Sequence, residues 1–217
     1  SVPVNESLLF MLRLDSLMSS NKPVKFKKKD LPKLNYAMLH SRIGFSDGVS
    51  IVMDQVEKIL RENLEIPKDN IHYLVGSSKK EGNIVENDLF SDTNKTNRQI
   101  VRNFKKGFGG TLSENLEKSI NKAKKEIETF VKENKIDIIL AHNTCHPVNF
   151  VMSIALSRYY RDQIKKGKKT PKYLLWWHDS HLERDHFSNP PHDVERYLKQ
   201  GVPGPYPEYI FFINSIQ

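Results

Sequence analysis

The chain has 217 residues, 38% of them hydrophobic and 28% charged, and a formal net charge of +8. This describes a globular chain with one sizeable core or two small ones, not a disordered one. No apolar run approaches the roughly 20 residues of a membrane span, and the single cysteine, Cys145, cannot close an internal disulfide, which points to a reducing, cytoplasmic setting.

The opening S-V-P-V-N-E-S-L-L-F-M-L-R-L-D does not read as a secretory leader, because Glu6, Arg13 and Asp15 interrupt its apolar positions. Residues 5–19 instead predict an amphipathic helix, with Leu8, Leu9, Leu12 and Leu17 on a broad face and Asn5 as cap. A basic connector, K-F-K-K-K at 25–29, follows. Residues 1–34 are therefore read as an N-terminal helix and connector, and the domain proper as 35–217. The first strand is predicted at N-Y-A-M-L, ending at His40. The loop S-R-I-G-F-S-D-G-V-S then leads into a helix to about Asn63, with Ser46 or Asp47 as cap. A strand, a glycine-containing turn and a helix place a helix N-terminus at a strand end, where free N–H groups can meet a phosphate.

A second strand is predicted from Ile71 to Val75. Residues 77–110 are polar and turn-rich, with a short strand near Ile84 and a short helix around 98–104. K-G-F-G-G at 106–110 reads as a mobile turn, and Thr111 with Glu114 as a capping box for a long helix. Its buried stripe is Leu112, Leu116, Ile120, Ala123, Ile127, Phe130 and Val131. The strand I-D-I-I-L-A ends at His142 and Asn143, and N-T-C-H-P leads into a helix from Val148 to about Lys165. The strand over 173–177 ends at His178 and Asp179, a helix spans about 192–200, and a last strand over 209–213 ends at Asn214.

Strands alternating with helices predict an α/β fold: a doubly wound, mainly parallel, Rossmann-like sheet with helices on both faces. In such sheets ligands bind beyond the carboxyl ends of the strands. Here those ends carry His40, His142 with Asn143, His178 with Asp179, and Asn214. Three chemistries fit. A metal could be held by His178, Asp179, His181, Asp185 and His186, although the spacing matches neither H-E-x-x-H nor a zinc knuckle. Cys145 could act as a nucleophile with His142 or His146, although a half-buried loop cysteine is the simpler reading. Imidazoles, an amide, a carboxylate and the pair Trp176 and Trp177 suit a hydroxyl-rich or phosphorylated ligand. The two indoles alternate across the strand, so at most one of them faces it.

The ordered set S-R-I-G-F-S-D-G-V-S-I-V-M-D-Q-V, L-A-H-N-T-C-H-P-V-N-F, L-L-W-W-H-D and Y-I-F-F-I-N-S resembles the N-terminal domain of GT-B retaining glycosyltransferases, especially those grouped as family 4. The resemblance covers about residues 35–217. It implies an acceptor-side Rossmann-like domain whose partner domain, which holds the nucleotide-sugar donor, is absent from this chain, so that the chain alone is inactive. It implies transfer from a nucleotide sugar to a sugar or other hydroxyl acceptor, with retention and without a bound metal or other cofactor. Gly48 and Asp47 fall on the loop facing the donor phosphates. Asp47, where the family often has a first glycine, is a departure whose charge opposes phosphate. His178 falls beside the transferred sugar. Asn143 and Asp179 fall nearby, and His142 and Asn214 complete the expected substrate-binding set. The basic surface adds a possible peripheral contact with an anionic membrane, and nucleic acid is not an expected partner. The alternatives are a stand-alone nucleotide- or polyanion-binding module and a metal-dependent hydrolase using the 178–186 cluster.

Overall fold

A computed structural model describes residues 26–178 and 184–212 of the chain. The helix expected over 5–19, together with Asp179, His181 and Asn214, lies outside the described residues. The strands are β1 (Tyr36–Ile43), β2 (Ile71–Ser78), β3 (Asn83–Glu86), β4 (Ile138–His142), β5 (Lys172–Trp177) and β6 (Tyr209–Phe212). The helices are α1 (Gly48–Glu62), α2 (Lys95–Asn103), α3 (Thr111–Glu133), α4 (Phe150–Lys165) and α5 (His192–Gly201). The six strands form one sheet in the order β3-β2-β1-β4-β5-β6, and every pairing is parallel. This is the doubly wound order, in which the chain moves outward from β1 in one direction and from β4 in the other.

Period-two alternation sorts the strand residues between two cores. Ala37, Leu39, Ile139, Ala141, Tyr173 and Leu175 pack with residues of α2, α3, α4 and α5. Tyr36, Met38, Ile138, Leu140 and Leu174 face the other way, into a core that includes Met53, Val56 and Leu60 of α1. The helices thus lie on both faces, with α1 on one and the rest on the other. Helix α4 is buried along most of its length, from Phe150 through Ser157 and on to Tyr159, Tyr160 and Gln163, because it packs between α3 and α5. Its apolar residues therefore run all round rather than in a stripe. Trp176 and Trp177 take opposite faces: Trp177 packs with the α4 side and Trp176 with the α1 side.

Several local expectations are corrected. Strand β1 continues through Ile43 rather than stopping at His40. Helix α3 is entered from Gly110, whose φ of 58° makes the turn, and no side chain caps it, so Thr111 is the first helical residue and not the head of a capping box. The K-G-F-G-G turn is anchored. Phe108 is 2% exposed, packs edge-on to Phe104 and Phe150, and donates its N–H to Asp193 Oδ2 at 2.6 Å. Cys145 is fully buried rather than half-buried, and burial pushes its thiol up to about 12, which leaves it without the thiolate a nucleophile needs.

Candidate functional site at the β1–β4 split

The cleft arises where two strands part company. Strand β1 pairs with β4 only from Tyr36↔Ile138 to Leu39↔Ala141, but stays with β2 as far as Ile43↔Ser78. Strand β4 stays with β5 to His142↔Trp176. From His40 onward the sheet is therefore split, and the chains leaving β1 and β4 turn to opposite faces. That is the topological switch point at which open α/β sheets bind ligands. A cleft of about 480 Å³ lies there.

One wall comes from β1 and the start of α1. Ser41 and Arg42 lead to Gly44, whose φ of 78° turns the chain, and then to Asp47, which caps α1. The Asp47 carboxylate accepts from the Ser50 N–H and from the Ser50 hydroxyl, both at 3.0 Å. Burial pulls that carboxyl up, but the two Ser50 bonds and the Arg42 charge outweigh it and hold it below the usual range. The Arg42 guanidinium sits 3.3 Å from Asp47 and 3.7 Å from Asp92. Asp92 is brought in by a close backbone approach at Gly76 of β2, where a Cβ would lie 2.3 Å from the Ser91 backbone and 2.4 Å from the Ser41 carbonyl. Only glycine admits that contact. Gly48 meets the cleft with nothing within 4 Å of where a Cβ would be.

The opposite wall is the loop after β4. Asn143 takes a φ of 51°, a left-handed conformation in which asparagine is enriched and which clusters at functional sites. Its N–H donates to the Trp176 carbonyl at 2.7 Å. Its own carbonyl accepts from Asn149 Nδ2 at 2.9 Å and from the His146 N–H at 3.2 Å. Asn143, His146 and Asn149 all line the cleft and are all buried.

Three imidazoles join the walls. His40 Nδ1 donates to the His142 carbonyl across the split at 2.7 Å, so its neutral form carries the proton on Nδ1. His142 Nδ1 lies 3.2 Å from His178 Nε2, and the His142 ring stacks on Trp176 with centroids 5.5 Å apart. Burial drives all three toward the neutral form. It takes His40 down to about 4 against the opposing pull of the His142 bond, and His178 down to about 4 with help from His40. His142 is held well below its ordinary value by burial and then by the other two rings. At neutral pH the group can accept or donate hydrogen bonds but holds no charge.

The structure thus brings together Asp47, Gly48, Asn143 and His178 on one cleft. His142, expected to touch substrate, is fully buried and does not line the cleft itself; it contacts His178, which does. Asp179 and Asn214 are outside the described residues. Neither tryptophan lines the cleft, and Trp176 instead backs His142. Of the 178–186 cluster, His186 donates from Nε2 to the Val101 carbonyl at 2.7 Å, away from the cleft. Among the described residues no group of three or more His, Cys, Asp or Glu is placed to hold a metal ion, and no helix is long and apolar enough to cross a membrane. The strand-end reading missed Arg42, Asp92, Asn149 and Arg184, which also line the cleft. No protein-family model matches the chain, and neither a curated protein nor a solved structure matches it.

Proposed function

We propose that this chain is the acceptor-side domain of a sugar-nucleotide-dependent glycosyltransferase that retains anomeric configuration. The observation that supports the reading is the meeting of Asp47, Gly48, Asn143 and His178 on one cleft at the switch point of the sheet. These are the residues on which the sequence motifs of the GT-B resemblance fall. In this reading His178 stands beside the transferred sugar. Its Nε2 is taken by His142, so among the described residues Nδ1 and the main-chain carbonyl are left for a sugar hydroxyl. An uncharged imidazole orients a hydroxyl without opposing the positive charge that develops at the anomeric carbon. A donor-binding partner domain supplies the nucleotide site, and this chain alone does not turn over.

The test is made on a protein that joins this chain to the sequence encoded downstream. Release of nucleoside diphosphate from a panel of nucleotide sugars, dependent on an added hydroxyl acceptor, is the expected result. In that protein His178→Ala lowers kcat by about a hundredfold or more, whereas His186→Ala, which loses a bond to the Val101 carbonyl and an edge-on contact with Phe187 away from the cleft, stays within about threefold. Turnover by this chain alone, or a downstream sequence without a second Rossmann-like half, overturns the proposal.

A further inference from the structure

The loop after β4 buries more acceptors than it satisfies. Asn149 is 1% exposed and Asn143 is 8% exposed. Both line the cleft, and neither Oδ1 has a hydrogen-bond partner among the described residues. The orientation of the Asn149 amide is fixed by its own network, because Nδ2 donates to the Asn143 carbonyl at 2.9 Å. Its Oδ1 is therefore an acceptor by necessity. A buried acceptor without a donor is costly, and two on one cleft floor call for a ligand that brings O–H groups to them.

The other wall argues about charge. The N-terminus of α1, where a phosphate would otherwise seat, already holds the Asp47 carboxylate on Ser50. Arg42 is shared between Asp47 and Asp92. Among the described residues the cleft's cations are Arg42, already held between two carboxylates, and Arg184, so a phosphate at this wall would have to compete with Asp47 and Asp92 for the Arg42 guanidinium. His40 and His178 are neutral and add no positive charge.

We propose that Asn143 and Asn149 form the recognition floor for an uncharged, polyhydroxylated ligand, a sugar whose neighbouring hydroxyls donate to the two amide oxygens, and that phosphorylated sugars are disfavoured by the Asp47–Arg42–Asp92 wall. This rests on the glycosyltransferase reading for calling that ligand the acceptor, but the binding itself is measurable without turnover.

The experiment titrates the isotope-labelled chain with methyl glucoside, methyl mannoside and methyl galactoside, and with glucose phosphate and mannose phosphate, following the side-chain amide resonances of Asn143 and Asn149. At least one neutral glycoside shifts both sets of resonances with millimolar affinity, and its phosphorylated counterpart binds no tighter. Asn143→Gly, which keeps the left-handed backbone, weakens the glycoside about tenfold. The proposal is overturned if no neutral glycoside moves these resonances at high millimolar concentration, if a sugar phosphate binds more than about tenfold tighter than its neutral partner, or if Asn143→Gly and Asn149→Ser both retain full affinity. The wild-type comparison decides the matter if either variant fails to fold. Binding without turnover in the joined protein would remove the glycosyltransferase reading and leave the sugar floor. Turnover with no contribution from Asn143 or Asn149 would do the reverse.

Discussion

The loop after β1 and the loop after β4 leave the same edge of the same sheet, yet they solve opposite problems. The first is saturated by its own charges: Asp47 is bonded to Ser50 and paired with Arg42, which also reaches Asp92. The second is buried more deeply but leaves amide oxygens on Asn143 and Asn149 without donors. The difference teaches that exposure and readiness to bind are separate properties. The wall with the formal charges is the inert one, because those charges are already paired with one another. The wall with neutral amides is the receptive one, because burying an unpaired acceptor costs free energy that a donor can recover.

The largest expected effect tests the bridge between the walls. His40 keeps a proton off until about pH 4, while the unfolded chain takes one near 6.5. Between these values the unfolded state binds more protons, so stability falls as the pH drops through the window and levels off below it. His40 alone contributes about 3 kcal/mol, and the melting temperature should fall by about 10 °C between pH 6.5 and 4. A His40→Gln variant should show a visibly shallower pH slope; an unchanged slope would break the bridge argument.

The next effect separates satisfied from unsatisfied amides. Asn97 is fully buried. It donates to the Ser91 carbonyl at 2.8 Å and accepts from the Val151 N–H, in the first turn of α4, at 3.2 Å. Asn97→Leu should cost about 3 kcal/mol in denaturant unfolding. Asn149→Leu should cost about 1 kcal/mol, because one side of its amide is already unpaired and the Asn143 carbonyl keeps the His146 N–H. Equal losses would mean that the two amides are not energetically distinct.

Smaller again, Asp47→Ala should cost about 1 kcal/mol as a lost cap. It should also leave Arg42 paired with Asp92 alone and free the N-terminus of α1, so phosphate protection against thermal unfolding should be stronger in the variant than in the parent. The smallest effect is at Asn143. Replacement by glycine should change stability by less than about 0.5 kcal/mol, whereas alanine, which resists the left-handed region, should cost about 1 kcal/mol. If alanine and glycine behave alike, the backbone at 143 is not strained in the way its φ of 51° indicates.

Much of the fold was legible because burial leaves a period in the sequence. The alternation of Ala37 and Leu39 against Tyr36 and Met38 maps onto the two cores, and the apolar stripe of α3 is buried at Leu116, Ile120, Ala123, Ile127 and Phe130. The pattern failed where polarity came from the cleft instead of from solvent. Ser41 and Arg42 read as loop because they are polar, yet they continue β1, paired with β2 on one side and facing the cleft on the other. Phe108 was a single aromatic among glycines, and its burial was the missed sign that the turn is pinned. Of the site, the strand-end residues His178 and Asn143 were readable from where apolar runs stop. Asp92 was not, since it reaches Arg42 through backbone contact at Gly76 between segments far apart in sequence. Asn149 looked like part of an ordinary helix entrance, and only its unpartnered oxygen sets it apart.

Past Leu39, β1 is held by a ladder on one edge only, and it behaves mechanically as a cantilever. Its far end carries Arg42 and leads on to Asp47, and the bond from His40 to the His142 carbonyl ties it across the split to the other half of the sheet. Mounted this way, the wall should tilt more easily than the β4 and β5 ladder that carries the asparagine floor. Amide hydrogen exchange would register the hinge as residues 41–43 opening at lower free energy than 36–39, with the boundary at His40 itself.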